Sequence, residues 1–358
     1  MSLWRRLLGG AAAPAPAQRA VPAPAKLYAE GAAPFPLAPS LVWQENLPTL
    51  DWPRVREWLD TIADEAASAR AYADAELAWL AYLREALGAD YRVEQQDGAV
   101  LLSSLEPAVA RATLAFMRRT AQRIPRVLDG LTEPPGWGHD ILLVLDDQDT
   151  YYRYVSRYYP DDSSYGTSAG MYLHDGCGHF VVHKAELHAI EPTIVHEMTH
   201  AMLSHLDLPT WVNEGLAVNT EHRLSPTPSG AHPLAQRSVV QQDDRRHRAY
   251  WNADSIQAFW SGALFLADDS GRDLAYNLGT LMVARLSRDW SAFAAFARAA
   301  TSADGGQAAA LEHLDADLGA VVGALFESDD GGVSLRPDPA RWQGEEVVES
   351  VEGRPTAS

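Results

Sequence analysis

The sequence predicts an α+β fold, in which a region of short strands is followed by a region of helices. Runs rich in Val, Ile and Leu alternate with helical segments between about residues 91 and 184. Beyond that point, helical periodicity dominates to about residue 327. Strands gathered in one part of a chain and helices in another are typical of α+β domains.

Four segments follow one another along the chain. Residues 1–40 contain a long Ala/Pro stretch that cannot form a packed core, so we expect them to be disordered. Residues 41–90 are predicted to be a helical lead-in, because Trp52, Val55 and Trp58 recur at helical spacing. We expect the main domain to span 91–328, and an acidic disordered tail to follow over 329–358.

Within the main domain, each element is predicted from its apolar pattern. The predicted strands are 91–95, 99–104 and 140–147, followed by a hairpin whose strands are 169–174 and 179–184. The predicted helices are 106–129, 192–205, 211–222, 273–287 and 291–301. His174, Cys177 and His179 have a metal-like spacing around the hairpin turn. A fourth ligand is missing, so we assign them to an exposed turn rather than to a metal site.

The composition argues against several classes of partner. The formal net charge is −19 and the isoelectric point is about 4.9, and an acidic surface repels nucleic acid and anionic lipid. Cys177 is the single cysteine, so no intrachain disulfide can form and a reducing, cytoplasmic location is expected. No apolar run approaches the length of about 18 residues that a transmembrane helix needs.

The segment "HEMTH" carries the residues that point to chemistry. On a helix, His196 and His200 lie one turn apart on the same face, so both imidazoles can meet at one point. Neutral imidazole is a favoured zinc ligand. Glu197 is rotated about 100° around the helix, beside the metal rather than on it, where a general base for a water molecule is needed.

A catalytic zinc ion typically takes three protein ligands, so the sequence must supply one more. Glu214 lies on the next predicted helix, in "PTWVNEGLAVNTE", which Thr210 can cap. If the two helices fold back on each other, Glu214 approaches the histidines. Glu221 lies two turns further along the same face and is able to hydrogen-bond the outer nitrogen of a histidine ligand; a solvated carboxylate is the alternative.

These two segments resemble the catalytic motif of the gluzincin zinc peptidases, the superfamily that includes thermolysin-like and M1-type enzymes. In that family HExxH is followed by a glutamate ligand on the next helix, which the M1 branch writes as W-x-N-E-G-x-A. The matching residues here are Trp211, Asn213, Glu214, Gly215 and Ala217. The likeness extends more weakly over about 91–300. It implies a gluzincin-like domain with a small mixed sheet, an edge strand, the HExxH helix and a helical C-terminal subdomain.

The resemblance also implies an activity. It implies one zinc ion, Zn2+, bound by His196, His200 and Glu214, with Glu197 as the general base that activates water for peptide-bond hydrolysis. Peptides or proteins are then the substrates. In similar enzymes a tyrosine on a later helix stabilises the reaction intermediate, and Tyr276 has a comparable place here. Packing beneath the zinc helices is an equally good role for Tyr276.

The sequence departs from the M1 pattern at two points. "SAGMYLH" has Tyr172 where an acidic residue would bind the free amine of the substrate, and the spacing from His200 to Glu214 is shorter. We therefore expect an endopeptidase rather than an aminopeptidase. The edge strand of this chain is expected to pair with an extended peptide. Two alternatives remain open: a non-catalytic zinc protein that binds peptides as a scaffold, and a hydrolase of non-peptide amides or esters.

Overall fold

The structure, a computed structural model, describes residues 22–133, 136–158, 170–174, 176–184, 187–225, 245–267, 270–328 and 330–342. The strands are β1 (Lys26–Leu27), β2 (Phe35–Pro36), β3 (Leu41–Gln44), β4 (Leu47–Leu50), β5 (Arg92–Gln96), β6 (Ala99–Ser103), β7 (Asp140–Leu145), β8 (Gly170–His174) and β9 (Gly178–His183).

Helices make up most of the described chain. They are α1 (Trp52–Leu59), α2 (Glu65–Leu87), α3 (Pro107–Val127), α4 (Gln148–Val155), α5 (Leu187–Leu203), α6 (Thr210–Leu224), α7 (Ser255–Trp260), α8 (Ser270–Leu286), α9 (Trp290–Ala299), α10 (Gln307–Leu314) and α11 (Leu318–Phe326). Residues 245–250 are also helical. Several helices begin where an aspartate accepts a backbone N–H of the first turn, as at Asp51, Asp64, Asp147, Asp289 and Asp317. The protein is a mixed α+β protein, as the sequence predicted.

A five-stranded mixed sheet lies between two groups of helices. Its order is β5-β6-β7-β9-β8, so β5 and β8 are the edge strands. β6, β7 and β9 are parallel, and each edge strand is antiparallel to its neighbour. β8 and β9 form the predicted hairpin, in which Tyr172 pairs with Phe180.

Alternation along the strands gives the sheet two buried faces. On β7, Ile141 and Leu143 pack against α1, α2 and α4, whereas Leu142 and Val144 pack against α3, α5 and the C-terminal helices. All four side chains are fully buried or nearly so. The helices α1 and α2 therefore cover one face of the sheet instead of forming a separate lead-in.

The described part of the predicted disordered N-terminus, residues 22–40, is folded. Leu27, Phe35 and Leu37 are buried, and the Phe35 ring lies 5.2 Å from that of Trp58. The indole Nε1 of Trp58 donates to the carbonyl oxygen of Ala33, 2.8 Å away. The prediction of disorder is wrong here because these few apolar side chains pack against the core formed by α1 and α2. Residues 1–21 lie outside the described residues.

Residues 41–50 also differ from the predicted helical lead-in. They form the antiparallel hairpin β3–β4, in which Leu41 pairs with Leu50. Pro48 lies within β4, and a proline argues against a strand when the sequence is considered alone. The helices that follow, α1 and α2, lie where the periodicity placed them.

The described part of the predicted acidic disordered tail, residues 330–342, is folded. Residues 333–335 and 339–341 form short 3-10 helices. Leu335 and Trp342 are buried, and Trp342 Nε1 donates to Oε1 of Gln257 at 3.0 Å. Because two large apolar side chains are anchored in this way, 330–342 belong to the folded part, while 343–358 lie outside the described residues. Among the described helices, none has the combined length and apolarity needed to cross a membrane.

Candidate metal site

The helix α5 places the two motif histidines between the sheet and α6. Its apolar face carries Ile194, Val195, Met198 and Met202, which pack on the sheet core. The helix begins at Leu187, before the predicted start, and so contains Pro192 in its interior. A proline there removes one backbone hydrogen bond without ending the helix.

The helix α6 packs against both α5 and α8. It begins at Thr210 after Pro209, and no side chain caps it, so the predicted capping role of Thr210 is wrong. Gly215 explains how closely α6 can approach α8. A Cβ atom at Gly215 would lie 2.5 Å from the carbonyl oxygen of Gly279, which leaves room only for hydrogen. This contact fixes Glu214 on one helix relative to Tyr276 on the other.

Three ligand atoms converge where α5 and α6 meet. Nε2 of His196 lies 3.1 Å from Nε2 of His200 and 3.2 Å from Oε2 of Glu214. Nε2 of His200 lies 3.5 Å from the same Glu214 oxygen. The three side chains are mostly buried, with exposed fractions of 15%, 15% and 16%. The structure thus brings together all three residues that the sequence singled out as metal ligands.

The outer nitrogens of both histidines have their own partners on α6. His196 Nδ1 lies 3.3 Å from Oε2 of Glu221, and His200 Nδ1 lies 3.0 Å from Oδ1 of Asn213. When the rings are neutral and donate Nδ1–H to these oxygens, Nε2 is unprotonated and its lone pair is directed at the cluster. Glu221 was predicted for this position, whereas Asn213 was identified only as part of the matched pattern.

The cluster suits a metal ion. Zinc held at about 2.0–2.1 Å in a tetrahedron separates its ligand atoms by about 3.3 Å, close to the three distances above. Oε2 of Glu214 is buried and accepts no hydrogen bond of acceptable geometry within the described residues, although both Nε2 atoms are near it. A cation would satisfy this oxygen and both lone pairs. The His196, His200 and Glu214 group could therefore hold a metal ion.

Glu197 lies beside the ligand triangle and reaches the edge strand β8. The backbone N–H of Tyr172 donates a hydrogen bond to its carboxylate. Burial raises the pKa of Glu197, and positive charge on His196 and His200 partly offsets that rise. The carboxylate is therefore beside the cluster but outside the ligand set, as its helical position predicted.

The electric field of the site favours positive charge. Burial lowers the pKa of His196, but the neighbouring carboxylates of Glu214 and Glu221 outweigh it and raise that pKa to about 10. Burial likewise opposes ionisation of Glu214, yet the charges on the histidines bring the pKa of Glu214 well below its usual range. With neutral imidazoles, Glu197, Glu214 and Glu221 leave an excess of negative charge, which a divalent cation would reduce.

Tyr276 lies on α8, one turn before the close contact at Gly279. Burial raises the pKa of its hydroxyl, and the Glu214 carboxylate raises it further. The Arg272 guanidinium, which hydrogen-bonds the hydroxyl, partly offsets both effects. Tyr276 also packs against Phe265, with ring centroids 5.2 Å apart. It therefore has core contacts and a hydroxyl within electrostatic range of the cluster, so both predicted roles are compatible with its position.

Two participants at this site were missed from the sequence. Arg272 precedes Tyr276 by one helical turn, and a lone arginine on an amphipathic helix gives no signal of its own. Tyr172 contributes its backbone N–H, and a backbone contact cannot be predicted from the residue type. At the hairpin, Cys177 and His179 are buried rather than exposed, and His179 Nε2 lies 2.7 Å from the Tyr154 hydroxyl. The expectation of an exposed turn is wrong for these two residues.

Comparison with known proteins gives no family for this chain. No family model matches it, and no curated protein matches it either.

Proposed function

We propose that this chain is a zinc-dependent metallopeptidase, more specifically an endopeptidase, with a gluzincin-like domain over residues 91–328. The observation that carries the proposal is the convergence of His196, His200 and Glu214, with the carboxylate of Glu197 beside them. A structural zinc site would not need a free carboxylate next to a three-ligand set. The resemblance of "HEMTH" and "WVNEGLA" to the gluzincin motif supports the same function.

In this proposal His196, His200 and Glu214 hold the zinc ion. When bound, zinc acts as a Lewis acid and lowers the pKa of a water molecule toward 7. Glu197 accepts the proton of the attacking water on a carboxylate oxygen and returns it to the leaving amide nitrogen. Its burial and raised pKa favour this exchange, because the carboxylate is a stronger base than one in water. Glu221 and Asn213 keep the histidine rings in orientation.

Tyr276 is assigned to the carbonyl oxygen of the scissile bond. Its raised pKa keeps the hydroxyl protonated, so it can donate a hydrogen bond as negative charge develops on that oxygen. Arg272 restrains the ring, with its guanidinium carbon 5.8 Å from the ring centroid.

The edge strand is the proposed place for the substrate backbone. Within the described residues, β8 pairs with β9 on one side only, so its other edge is able to accept an extended peptide. The residues of β8, GMYLH, include no carboxylate that would bind a free amine. An endopeptidase follows from this composition more readily than an aminopeptidase.

The test combines metal analysis with peptide cleavage. Purified protein should contain about one zinc per chain and cleave members of an unbiased peptide library. Elemental analysis must cover iron as well, because two histidines and a carboxylate also suit iron(II). Glu197→Gln should retain zinc and lose cleavage by about 10²–10⁴-fold, whereas Glu312→Gln, on an exposed position of α10, should change neither.

The other possible outcomes would each support a different conclusion about this chain. If zinc-loaded protein binds library peptides without cutting them, it is a peptide-binding scaffold. Cleavage confined to small amides or esters would indicate a non-peptide hydrolase. Absence of any bound metal after reconstitution would overturn the metal site itself.

A further inference from the structure

A cavity of about 410 Å³ lies between α3, α6, α8 and α9. Its α6 wall includes Leu216, Asn219 and Arg223. At 100° per residue these side chains point about half a turn away from Glu214 and Glu221, so the cavity lies behind α6, on the side opposite the metal site. Its volume falls within the range of small-molecule sites.

Two arginines line the cavity without a partner of their own. Arg126 is in the last turn of α3 and Arg223 in the last turn of α6, and both are exposed. Within the described ranges, neither guanidinium forms an ion pair or hydrogen bond. Asp129 also lines the cavity and is its single carboxylate. The side chains therefore give it one net positive charge in a protein whose net charge is −19.

Arginines near helix ends often serve to bind the last carbonyl groups. Here other donors already do so. Arg123 Nη1 donates to the carbonyl oxygen of Leu224 at 3.4 Å, Trp290 Nε1 to that of Asp129 at 2.9 Å, and Arg298 Nη1 to that of Gly130 at 2.8 Å. The carbonyl oxygens of Leu224, Asp129 and Gly130 thus have other donors, and within the described residues neither Arg126 nor Arg223 donates to a helix-end carbonyl.

The inner wall of the cavity has an unpaired hydroxyl. Thr220 is 1% exposed, and its Oγ1 has no hydrogen-bond partner among the described residues. A buried hydroxyl without a partner is destabilising, unless a bound molecule supplies one. Beside it, Leu216 and Val283 form an apolar surface, and the half-buried Trp290 adds an aromatic face.

We propose that this cavity binds a small monocarboxylate with an aromatic or aliphatic body. The carboxylate pairs with the guanidinium groups of Arg126 and Arg223, which match its two oxygens. The body packs against Trp290, and the Thr220 hydroxyl completes the polar contacts. One net positive charge suits a monoanion, and the acidic surface disfavours a dianion such as phosphate. This site does not depend on the proposed peptidase activity.

The first measurement is calorimetric titration of the full chain with 3-phenylpropionate as the probe. We expect one binding site per chain. The neutral 3-phenylpropanamide should bind at least about tenfold more weakly, because it cannot form charge-assisted hydrogen bonds. Inorganic phosphate should also bind more weakly than the probe. Equal binding of the amide, or tighter binding of phosphate, would overturn the proposal.

Variants then locate the site. The double substitution Arg126→Gln and Arg223→Gln should lower the affinity for the probe at least about tenfold. A matched pair of exposed arginines outside the cavity, Arg153→Gln with Arg285→Gln, removes the same charge and should leave affinity unchanged. If both double variants bind the probe equally weakly, the probe is attracted by the overall charge of the protein and not by this cavity.

Thr220→Val gives an independent readout. The substitution keeps the shape and removes the unpaired hydroxyl, so we expect the probe-free protein to become more resistant to urea and the probe to bind roughly threefold more weakly. Unchanged probe affinity in Thr220→Val, together with unchanged affinity in the arginine pair, would show that the cavity binds no carboxylate. Because all these positions except Thr220 are exposed, the arginine variants are expected to fold normally.

Discussion

The contact between α6 and α8 makes Gly215→Ala the most informative single substitution. Gly215 follows the proposed metal ligand Glu214, and its Cα faces the backbone of Gly279. An added methyl group cannot rotate away as a longer side chain could. The strain must therefore be relieved by moving the helices apart.

The expected magnitude follows from the distances. The new Cβ would lie 2.5 Å from Gly279 O and 2.6 Å from Val283 Cγ2, while ordinary contact begins at 3.4 Å. The helices must separate by about 0.9 Å in a close-packed interior. Overpacking of this kind costs about 1–3 kcal/mol, and replacing Gly by Ala in a helix returns about 1 kcal/mol. We expect a net loss of up to about 2 kcal/mol in the free energy of unfolding.

The same displacement should affect metal binding. Zinc sites tolerate deviations of about 0.2 Å in ligand distance, so a shift of Glu214 several times larger should weaken zinc binding clearly. Urea unfolding measures the first effect, and competition with a chromophoric chelator measures the second. Gly279→Ala is the graded comparison, because its Cβ would lie 3.0 Å from Trp211 O and needs a smaller shift. A Gly215→Ala chain that is more stable than the native chain, as expected if only the helix propensity of alanine acted, would refute the close-contact argument.

Further substitutions test the histidine supports, the C-terminal segment and a buried tyrosine. Glu221→Ala and Asn213→Ala should each lower zinc affinity by about 10–100-fold, because each frees a histidine ring; chelator competition measures this, and unchanged affinity would contradict it. Trp342→Ala should lower the free energy of unfolding by about 3 kcal/mol in urea titrations, since its indole is buried and bonded to Gln257; a negligible effect would place 330–342 outside the cooperative fold. Burial raises the pKa of the Tyr91 hydroxyl from its ordinary value of 10.0 to about 12, so the stability that this group contributes is present below pH 10 and is lost as the pH rises to 12. Tyr91→Phe should flatten the fall of the urea midpoint over that pH window, and parallel curves for the two proteins would refute the assignment.

Much of the fold follows from local patterns. The strands β6 and β7 and the helices α3, α6, α8 and α9 were predicted within a few residues, because their apolar residues repeat with a clear period. The larger errors lie at the two ends. Leu27, Phe35, Leu335 and Trp342 are buried by residues far along the chain, and no local pattern reports such contacts.

The candidate ligands could be predicted from the sequence for a different reason. His196, Glu197 and His200 are related by helical geometry alone, and Glu214 lies on the next helix, joined by a short loop. Asn213 could have been assigned from the same motif, since it precedes Glu214 and reaches His200 across the helix pair. Local geometry therefore explains why this part of the site was predictable.

The remainder of the site depends on a helix that no motif connects to the ligands. Tyr276 and Arg272 lie on α8, and the close packing of Gly215 against Gly279 allows that helix to approach α6. The glycine of the "NEGLA" segment is thus explained by helix packing and not by metal chemistry. If a substitution on α8 moved that helix away, the three ligands and Glu197, which lie on α5 and α6, would stay in place, yet the hydroxyl of Tyr276 would leave the cluster. We therefore expect substitutions on α8 to impair hydrolysis while metal binding stays intact. Substitutions on α6 should impair both.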